Sequence, residues 1–227
     1  MSSELSADPK VLDRVFSNYP VRTILKNRPL LYQGEIPTMV FYIKSGIVKI
    51  FNITSQGEEK IVGYESAGGV IPLAWLFNRA PVSLYYYDTF TDCEIVRVPK
   101  EDLLGSIRDN HDVAIALLDR NVSMYIGATM HLHALEQSKA RQKLLSIMQY
   151  LVLRFGNNPG KKLQRIDLRL THQEISNLIG TTRETTSTEI NKLTKEGVVS
   201  QENGMYRVDV DKAVRLLGEE DFKEVLL

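Results

Sequence analysis

The side chains whose types and spacing point to chemistry lie between Leu170 and Gly204. Arg183, Glu184, Ser187, Thr188 and Asn191 recur at the spacing of one helical face. All are short or planar hydrogen-bonding groups, with Arg183 and Glu184 in the first turn. That end of a helix is the part that meets base edges when the helix lies in a DNA major groove. A helix that merely faces water carries Lys and Glu four apart for self-pairing; this face carries an Arg-Glu pair and small hydroxyls instead. Thr171, Gln173 and Thr182, at the starts of two helices, are candidates for phosphate contacts that set register. His172 lies in the first of those turns and faces either a phosphate or solvent.

The elements that must position these groups follow from local signals. Leu170 and Ile175 have the spacing of a hydrophobic staple around an N-cap at Thr171, and Thr171 with Glu174 forms a T-x-x-E capping box. Ile175, Leu178 and Ile179 give this first helix an apolar face. Gly180 falls where the chain leaves the helix with positive φ. Thr182 caps a second helix starting at Arg183, in which Thr186, Ile190 and Leu193 face inward. Gly197 ends it. Asn203-Gly204 suits a type I′ turn between strands at Val198–Gln201 and Met205–Val208. Two helices joined by a tight turn and followed by a hairpin make a winged helix. The competing reading is a helical hairpin in an ordinary core, and the outward face argues against it.

A chain of 227 residues accommodates two modest domains. Its 28 basic and 28 acidic residues balance overall but not locally. Residues 1–137 hold 13 Lys/Arg against 16 Asp/Glu, net −3, whereas residues 138–215 hold 14 against 8, net +6. A locally basic module suits contact with phosphates. The one cysteine, Cys93, excludes an intrachain disulfide and a Cys-ligated metal or iron–sulfur site within one chain; it reads as a buried strand residue. His131-x-His133 does not suit a metal, because positions i and i+2 of a helix point about 200° apart. A cupin-type enzyme needs His and carboxylate ligands inside its barrel, and residues 21–98 contain no His. No nucleophile–base pair or phosphate-cradling loop is evident, so neither an enzyme nor a bound cofactor is expected. Met1–Pro9 lacks the apolar stretch of a signal peptide and no apolar run reaches spanning length, which leads to the expectation of a cytoplasmic protein.

From Val21 to Val98 short β-branched and aromatic runs alternate with turns. Strands are expected at Val40–Ile43, Ile47–Ile53, Lys60–Tyr64, Ser83–Phe90 and Cys93–Val98, with a polar turn at Thr54–Glu59 and a loop at Ser66–Gly69. This pattern argues for a jelly-roll or barrel. Val11–Tyr19 precedes it as a short helix with Leu12, Val15 and Phe16 on one face, and Pro99 opens another helix after it. Asp112 to about Ser138 is a long helix with two apolar stripes. Ile115, Leu118, Val122, Tyr125, Thr129 and Leu132 form one; Leu117, Met124, Ala128 and Leu135 form the other. A helix apolar on two faces must be covered twice, by its own β-roll and by a second chain, or else within a single-chain core. Lys139–Phe155 is amphipathic, with Leu144, Leu145, Ile147, Met148, Leu151 and Val152 inward, and ends at Gly156 and an Asn158-Pro159-Gly160 turn. Asp211–Leu217 reads as a short helix, Glu219–Leu227 as one more, and residues 1–9 as disordered.

The positions Leu170, Thr171, Gln173, Glu174, Ile175, Ile179, Gly180, Arg183, Glu184 and Thr185 spell L-T-x-Q-E-I-x-x-x-I-G-x-x-R-E-T. This closely resembles the helix-turn-helix of the CRP/FNR family of bacterial transcription regulators. Leu30 to Phe51, with turns at Gly34-Glu35 and Gly46, resembles the family's first β-roll strands, and Gln56-Gly57-Glu58-Glu59 its G-(K/E)-E turn. The likeness runs from about residue 20 to 215. It implies an α+β architecture: an N-terminal double-stranded β-helix or jelly-roll sensor domain over 1–110, a dimerisation helix over 111–137, and a C-terminal winged helix-turn-helix domain over 138–227. A hinge is expected near Gln137-Ser138. The resemblance implies a homodimer on palindromic double-stranded DNA, with RNA polymerase as a further partner and Leu118, Val122, Tyr125, Thr129 and Leu132 at the dimer interface. It also implies that Arg183 contacts a guanine O6/N7 edge and Glu184 accepts from a cytosine N4, pairings that groove chemistry supports. Relatives of the R-E-x-x-x-R type carry a second Arg where Thr188 stands, so the contact that this Arg makes to the usual half-site is missing here; a Thr suits a thymine methyl or a phosphate.

The effector region departs from the family more strongly. Relatives that bind cyclic AMP have a G-E-L-(A/G) turn and an R-(S/T)-A cradle. Here Gly68-Gly69 is followed by Val70-Ile71-Pro72 without a carboxylate, and the cradle position reads Val82-Ser83-Leu84-Tyr85 without an Arg. A phosphodiester would lose its strongest bidentate contact, so cyclic AMP in the usual manner is not expected. Gly69, Val70, Ile71, Tyr85 and Tyr87, with Trp75 nearby, are candidates for a pocket holding a small apolar or aromatic effector. The alternatives are that these aromatics fill the barrel core and no effector acts, or that the scaffold serves only as a protein-binding adaptor.

Overall fold

The computed structural model describes residues 10–157 and 161–218. The expectations for residues 1–9, the turn at 158–160 and the tail 219–227 fall outside the described residues. The chain divides into two compact units, with the division between Met124 and Tyr125.

In the first unit, helix α1 (Val11–Val15) is followed by strands β1 (Val21–Ile24), β2 (Pro29–Leu31), β3 (Val40–Ser45), β4 (Ile47–Ile53), β5 (Glu59–Ser66) and β6 (Val70–Ile71). Then come α2 (Leu73–Leu76), β7 (Tyr86–Thr89), β8 (Cys93–Val98) and α3 (Lys100–Asp109). Two four-stranded sheets result, ordered β1-β8-β3-β6 and β2-β7-β4-β5, with every pairing antiparallel. Side chains alternate across a strand, and that alternation builds the core twice over. Phe41, Ile43, Ile71, Cys93 and Ile95 from the first sheet meet Leu31, Val48, Ile50 and Tyr87 from the second. On the other face of the first sheet, Val40, Tyr42, Val70, Val96 and Val98 join Val11, Leu12 and Phe16 of the α1 region, Leu76 of α2 and Leu103 of α3. The Tyr42 hydroxyl donates to Asp13 at 2.8 Å, which pins α1 to this face.

The strand expected at Ser83–Phe90 is shorter than its composition suggests. Ser83 trades both backbone hydrogen bonds with the turn after β2, accepting from Gly34 and donating to Glu35, each at 2.8 Å. The chain therefore joins the sheet only at Tyr86. Tyr85 and Tyr87 do share a side: Tyr87 is in the inter-sheet core with Tyr85 packed against it. Tyr86 goes to the other face and stacks on Phe51, with centroids 5.2 Å apart. Cys93 is buried, and its thiol donates to backbone carbonyls of Ile47 and Thr91 at 3.3 Å.

Helix α4 (His111–Glu136) is 26 residues long. Its first expected stripe is largely exposed, with Leu118 59%, Val122 48%, Tyr125 70% and Leu132 57% accessible. The second stripe is corrected. Leu117 is buried, but Ala128 and Leu135 face solvent, and the inward residues are Val113 and Leu117 in the first unit and Met130, His131 and Ala134 in the second. A Cβ at Gly127 would stand 3.0 Å from Arg154 Cδ and 3.3 Å from Tyr150 Cε2, so the helix backbone lies close against those two side chains.

The second unit continues with α5 (Ala140–Phe155), β9 (Leu163–Arg165), α6 (His172–Ile179), α7 (Arg183–Lys195), β10 (Val199–Glu202), β11 (Met205–Asp209) and α8 (Val210–Leu217). All six apolar residues expected to face inward from α5 are buried, and α5 packs against α6, α7 and α8. The hairpin gains a third strand that its own sequence does not announce, in the order β10-β11-β9.

Gly46 offers a test of the β-roll. It has φ +89°, and a Cβ there would meet Cys93 Sγ at 2.6 Å and Cys93 Cα at 2.9 Å. Gly46→Ala is expected to destabilise the first unit by about 2 kcal/mol or more. Trp75, the one tryptophan, reports this unit, and its fluorescence should show a lowered urea midpoint.

Candidate nucleic-acid interface

Helices α6 and α7 stand as the local signals require. Thr171 Oγ1 accepts from the Glu174 backbone N–H at 3.2 Å, and Glu174 Oε2 accepts from the Thr171 N–H at 2.6 Å, which completes the capping box. Leu170 and Ile175 are both buried beneath it. Gly180 leaves α6 with φ +64°. Thr182 Oγ1 then accepts from the Thr185 N–H at 3.1 Å and starts α7. Asn203 and Gly204 both have positive φ, as a type I′ hairpin turn demands.

Thr186, Ile190 and Leu193 are buried, which turns the opposite side of α7 outward. Arg183, Glu184, Thr188 and Asn191 are exposed and Ser187 is half-buried. These five sequence-identified residues thus share one accessible face. Thr171 and Thr182 are exposed but already engaged as caps, and Gln173 is held within α6, donating to Ser176 at 3.2 Å and Asn177 at 2.8 Å. A phosphate accepts, so at these three positions it would have to take over a donor now given to Glu174, to Thr185, or to Ser176 and Asn177.

Long-range contacts that the sequence reading missed hold the pair of helices in place. The buried ring of His131 on α4 is hydrogen-bonded through Nε2 to the carbonyl of Leu178 at 2.8 Å and stacks on Tyr150, with centroids 5.5 Å apart. Lys143 on α5 donates to Ile179 O at 3.4 Å. The last carbonyls of α6, which have no intrahelical donors, are thereby satisfied from two other helices. At the far end of α7, Lys212 on α8 donates to the carbonyls of Glu196 and Gly197 at 3.3 and 3.1 Å. Arg141 on α5 grips both Glu196 carboxylate oxygens, and this holds the Glu196 carboxyl below its ordinary value. By spacing alone His131 is only half of a His-x-His pair unsuited to a metal. The structure gives it this capping role, and His133 instead faces Gln137 at 3.1 Å.

Arg169 is a further residue not singled out in advance. It is exposed, and its Cδ lies 3.9 Å from where a Gly204 Cβ would stand, beside the hairpin turn. Arg165 and Arg207 sit opposite each other in the β9–β11 register, each paired with an acid, Asp167 and Glu202 respectively. Only knowledge of β9 reveals this juxtaposition.

The candidate effector residues divide between two cores. Ile71, Tyr85 and Tyr87 line the space between the sheets, whereas Val70 belongs to the helix-covered face. Gly69 backs onto the side chain of Glu65. Glu65 is fully buried and forms an ion pair with Arg120 of α4, which the sequence reading did not identify.

A β-roll, a long helix and a winged helix-turn-helix with an uncovered recognition face define a DNA-binding transcription regulator, not an enzyme. Comparison with known proteins agrees. Residues 21–110 match the cyclic nucleotide-binding domain model and residues 142–216 the Crp-like helix-turn-helix domain model. The chain is 28% identical over 204 residues to the cyclic AMP receptor protein of Thermus thermophilus, covering 88% of each chain. It is 27% identical over 191 residues to electron transport regulator A of Shewanella oneidensis, covering 84% of this chain and 74% of that one. Among solved structures, CooA of Carboxydothermus hydrogenoformans shares the fold with a TM-score of 0.75 at 16% identity, over 94% of this chain and 99% of that one. The chain belongs to the CRP/FNR family of transcription regulators.

The Arg141–Glu196 pair yields a pH-dependent prediction. A carboxyl whose folded value is lowered adds stability that is present above its ordinary value of 4.5 and is lost as pH falls through the folded value. Glu196→Gln is therefore expected to lower the denaturation midpoint of the second unit near neutral pH and to leave it unchanged at strongly acidic pH. Urea titrations at the two pH values check this; an equal loss at both would remove the charge from the explanation.

Proposed function

We propose that this regulator acts as a homodimer on a palindromic promoter site, in the cytoplasm and in company with RNA polymerase. The observation that carries the DNA-binding reading is the outward face of α7: capped at both ends, buried along one stripe, and open along Arg183, Glu184, Ser187, Thr188 and Asn191. In the major groove Arg183 suits the O6 and N7 acceptors of a guanine, and Glu184 suits the N4 donor of a cytosine. Thr188 presents a methyl and a hydroxyl where an Arg would read a second guanine, which favours a thymine or a phosphate there. Thr171, Gln173, Thr182 and the neighbouring Arg169 would contact phosphates on either side.

The dimer rests on α4. Leu118, Val122, Tyr125 and Leu132 form an apolar ridge that a lone chain leaves in water, and Thr129 in the same stripe turns its hydroxyl back to Ile126 O. A second copy of α4 supplies the matching surface. Two-fold pairing then delivers two recognition helices about 34 Å apart, one turn of DNA. An effector, where one acts, is not cyclic AMP, because neither the turn after Gly69 nor the segment Val82–Tyr85 presents the charged groups that nucleotide requires. A version of the same function without any effector is favoured by the ion pair between buried Glu65 and Arg120.

Arg183→Ala is expected to cost about 1–3 kcal/mol on the best site and to relax one base position. Selection of bound duplexes from a random pool checks it, and unchanged specificity would remove α7 from the role of reader. Leu118→Asp places a charge in the α4 ridge and is expected to give monomers in sedimentation; a persisting dimer would place the interface elsewhere.

A further inference from the structure

Glu65 lies on β5 with its side chain wholly removed from solvent, although carboxylates are rarely buried unless paired. Its partner comes from α4. Arg120 Nη2 donates to Glu65 Oε1, to Ser66 Oγ at 2.9 Å and to Ser66 O at 3.2 Å. The turn after β5 is shaped around this carboxylate. A Cβ built on Gly69 would overlap the Glu65 side chain, lying 2.7 Å from both Cδ and Oε1, so only glycine fits. The charge is felt further in. Burial raises the Tyr87 phenol, and Tyr85 and Glu65 add to the shift. The corner where Gly69 and Tyr87 were candidates for binding a small molecule therefore already contains an anion, supplied by the chain, and an arginine already engaged by it.

We propose that Glu65 serves as a built-in ligand for Arg120, fastening the β-roll to the segment of α4 packed on it, so that DNA binding needs no diffusible effector. This rests on the DNA-binding reading above and specifies its regulation. Breaking a buried ion pair leaves an uncompensated charge, so a state in which Arg120 departs from Glu65 is disfavoured unless another anion replaces it. A well-packed apolar pair would stabilise the corner comparably; the bonds from Arg120 Nη2 to Glu65 and Ser66 are directional and select one register of α4 against β5. An incoming anionic effector would meet a neutralised arginine and the like charge of Glu65.

The test uses the full chain and a duplex bearing its selected site. Glu65→Ala removes the carboxymethyl group and leaves room for an acetate ion. The wild-type protein, shown by mass spectrometry to carry no small molecule, is expected to bind the duplex. Glu65→Ala is expected to bind at least roughly tenfold more weakly. Sodium acetate, compared with sodium chloride at the same ionic strength, is expected to restore most of the affinity, and to do nothing for Glu65→Ala combined with Arg120→Ala. Undiminished affinity in Glu65→Ala overturns the proposal, as does a loss that acetate leaves unrepaired in a folded protein. A wild type that binds only when a metabolite is added also overturns it. Should Glu65→Ala fail to fold, Glu65→Gln keeps the volume and removes the charge; weak binding by that folded variant supports the proposal and wild-type affinity sinks it. A wild type that ignores every duplex would instead count against the DNA-binding reading, so the two failures are distinguishable.

Discussion

A helix leaves its first amides and last carbonyls without partners, and the closure of those ends is what the DNA-reading module depends on. Helix α6 has 8 residues and α7 has 13, lengths at or below the roughly 12–15 at which an isolated helix is marginal in water. Thr171 with Glu174, and Thr182, close the N-terminal ends from within the local sequence. His131, Lys143 and Lys212 close the C-terminal ends from three other helices. None of these groups occupies the outward side of α7. The helix is made rigid by its ends and its buried stripe, which leaves its surface free to be chosen for bases.

The β-roll solves a different problem. Its first sheet is covered on both faces, by the second sheet and by helices, so Val40 to Ile43 are all buried. The second sheet keeps one face toward water, where Lys49 pairs with Glu59 and lies over the Phe51 ring. Into this apolar body the chain introduces one buried carboxylate, matched by an arginine from α4. Arg120 keeps some contact with water, but the desolvation of Glu65 offsets much of their attraction, so the pair contributes orientation more than stability.

Helix α4 distributes its surface among three demands. Val113 and Leu117 pack within the first unit; Met130, His131 and Ala134 pack within the second; and Leu118, Val122, Tyr125 and Leu132 face outward. Apolar residues almost all round the helix blur any single periodicity. That is why Val113, Met130, His131 and Ala134, which pack within the units, follow neither of the two apolar stripes read from the sequence.

What the sequence by itself determined was whatever is decided within four or five residues: the capping box at Thr171, the left-handed exit at Gly180, the cap at Thr182, the turn at Asn203-Gly204, and the inward face of α5. Because those caps orient α7, the recognition face was legible too. The two-sheet β-roll was legible as a class, from short strands and their turns, but not in its details. Strand β9 has 3 residues and exists only because β11 offers an edge to pair with. The segment before Tyr86 reads as strand and is diverted by backbone bonds to a turn nearly fifty residues earlier. Arg120–Glu65 and Arg141–Glu196 each join positions 55 apart, and His131 meets Leu178 across 47. Spacing along a chain carries no signal at such separations. Only the packed tertiary structure decides which distant donor meets which buried acceptor, because burial removes the water that would otherwise satisfy both.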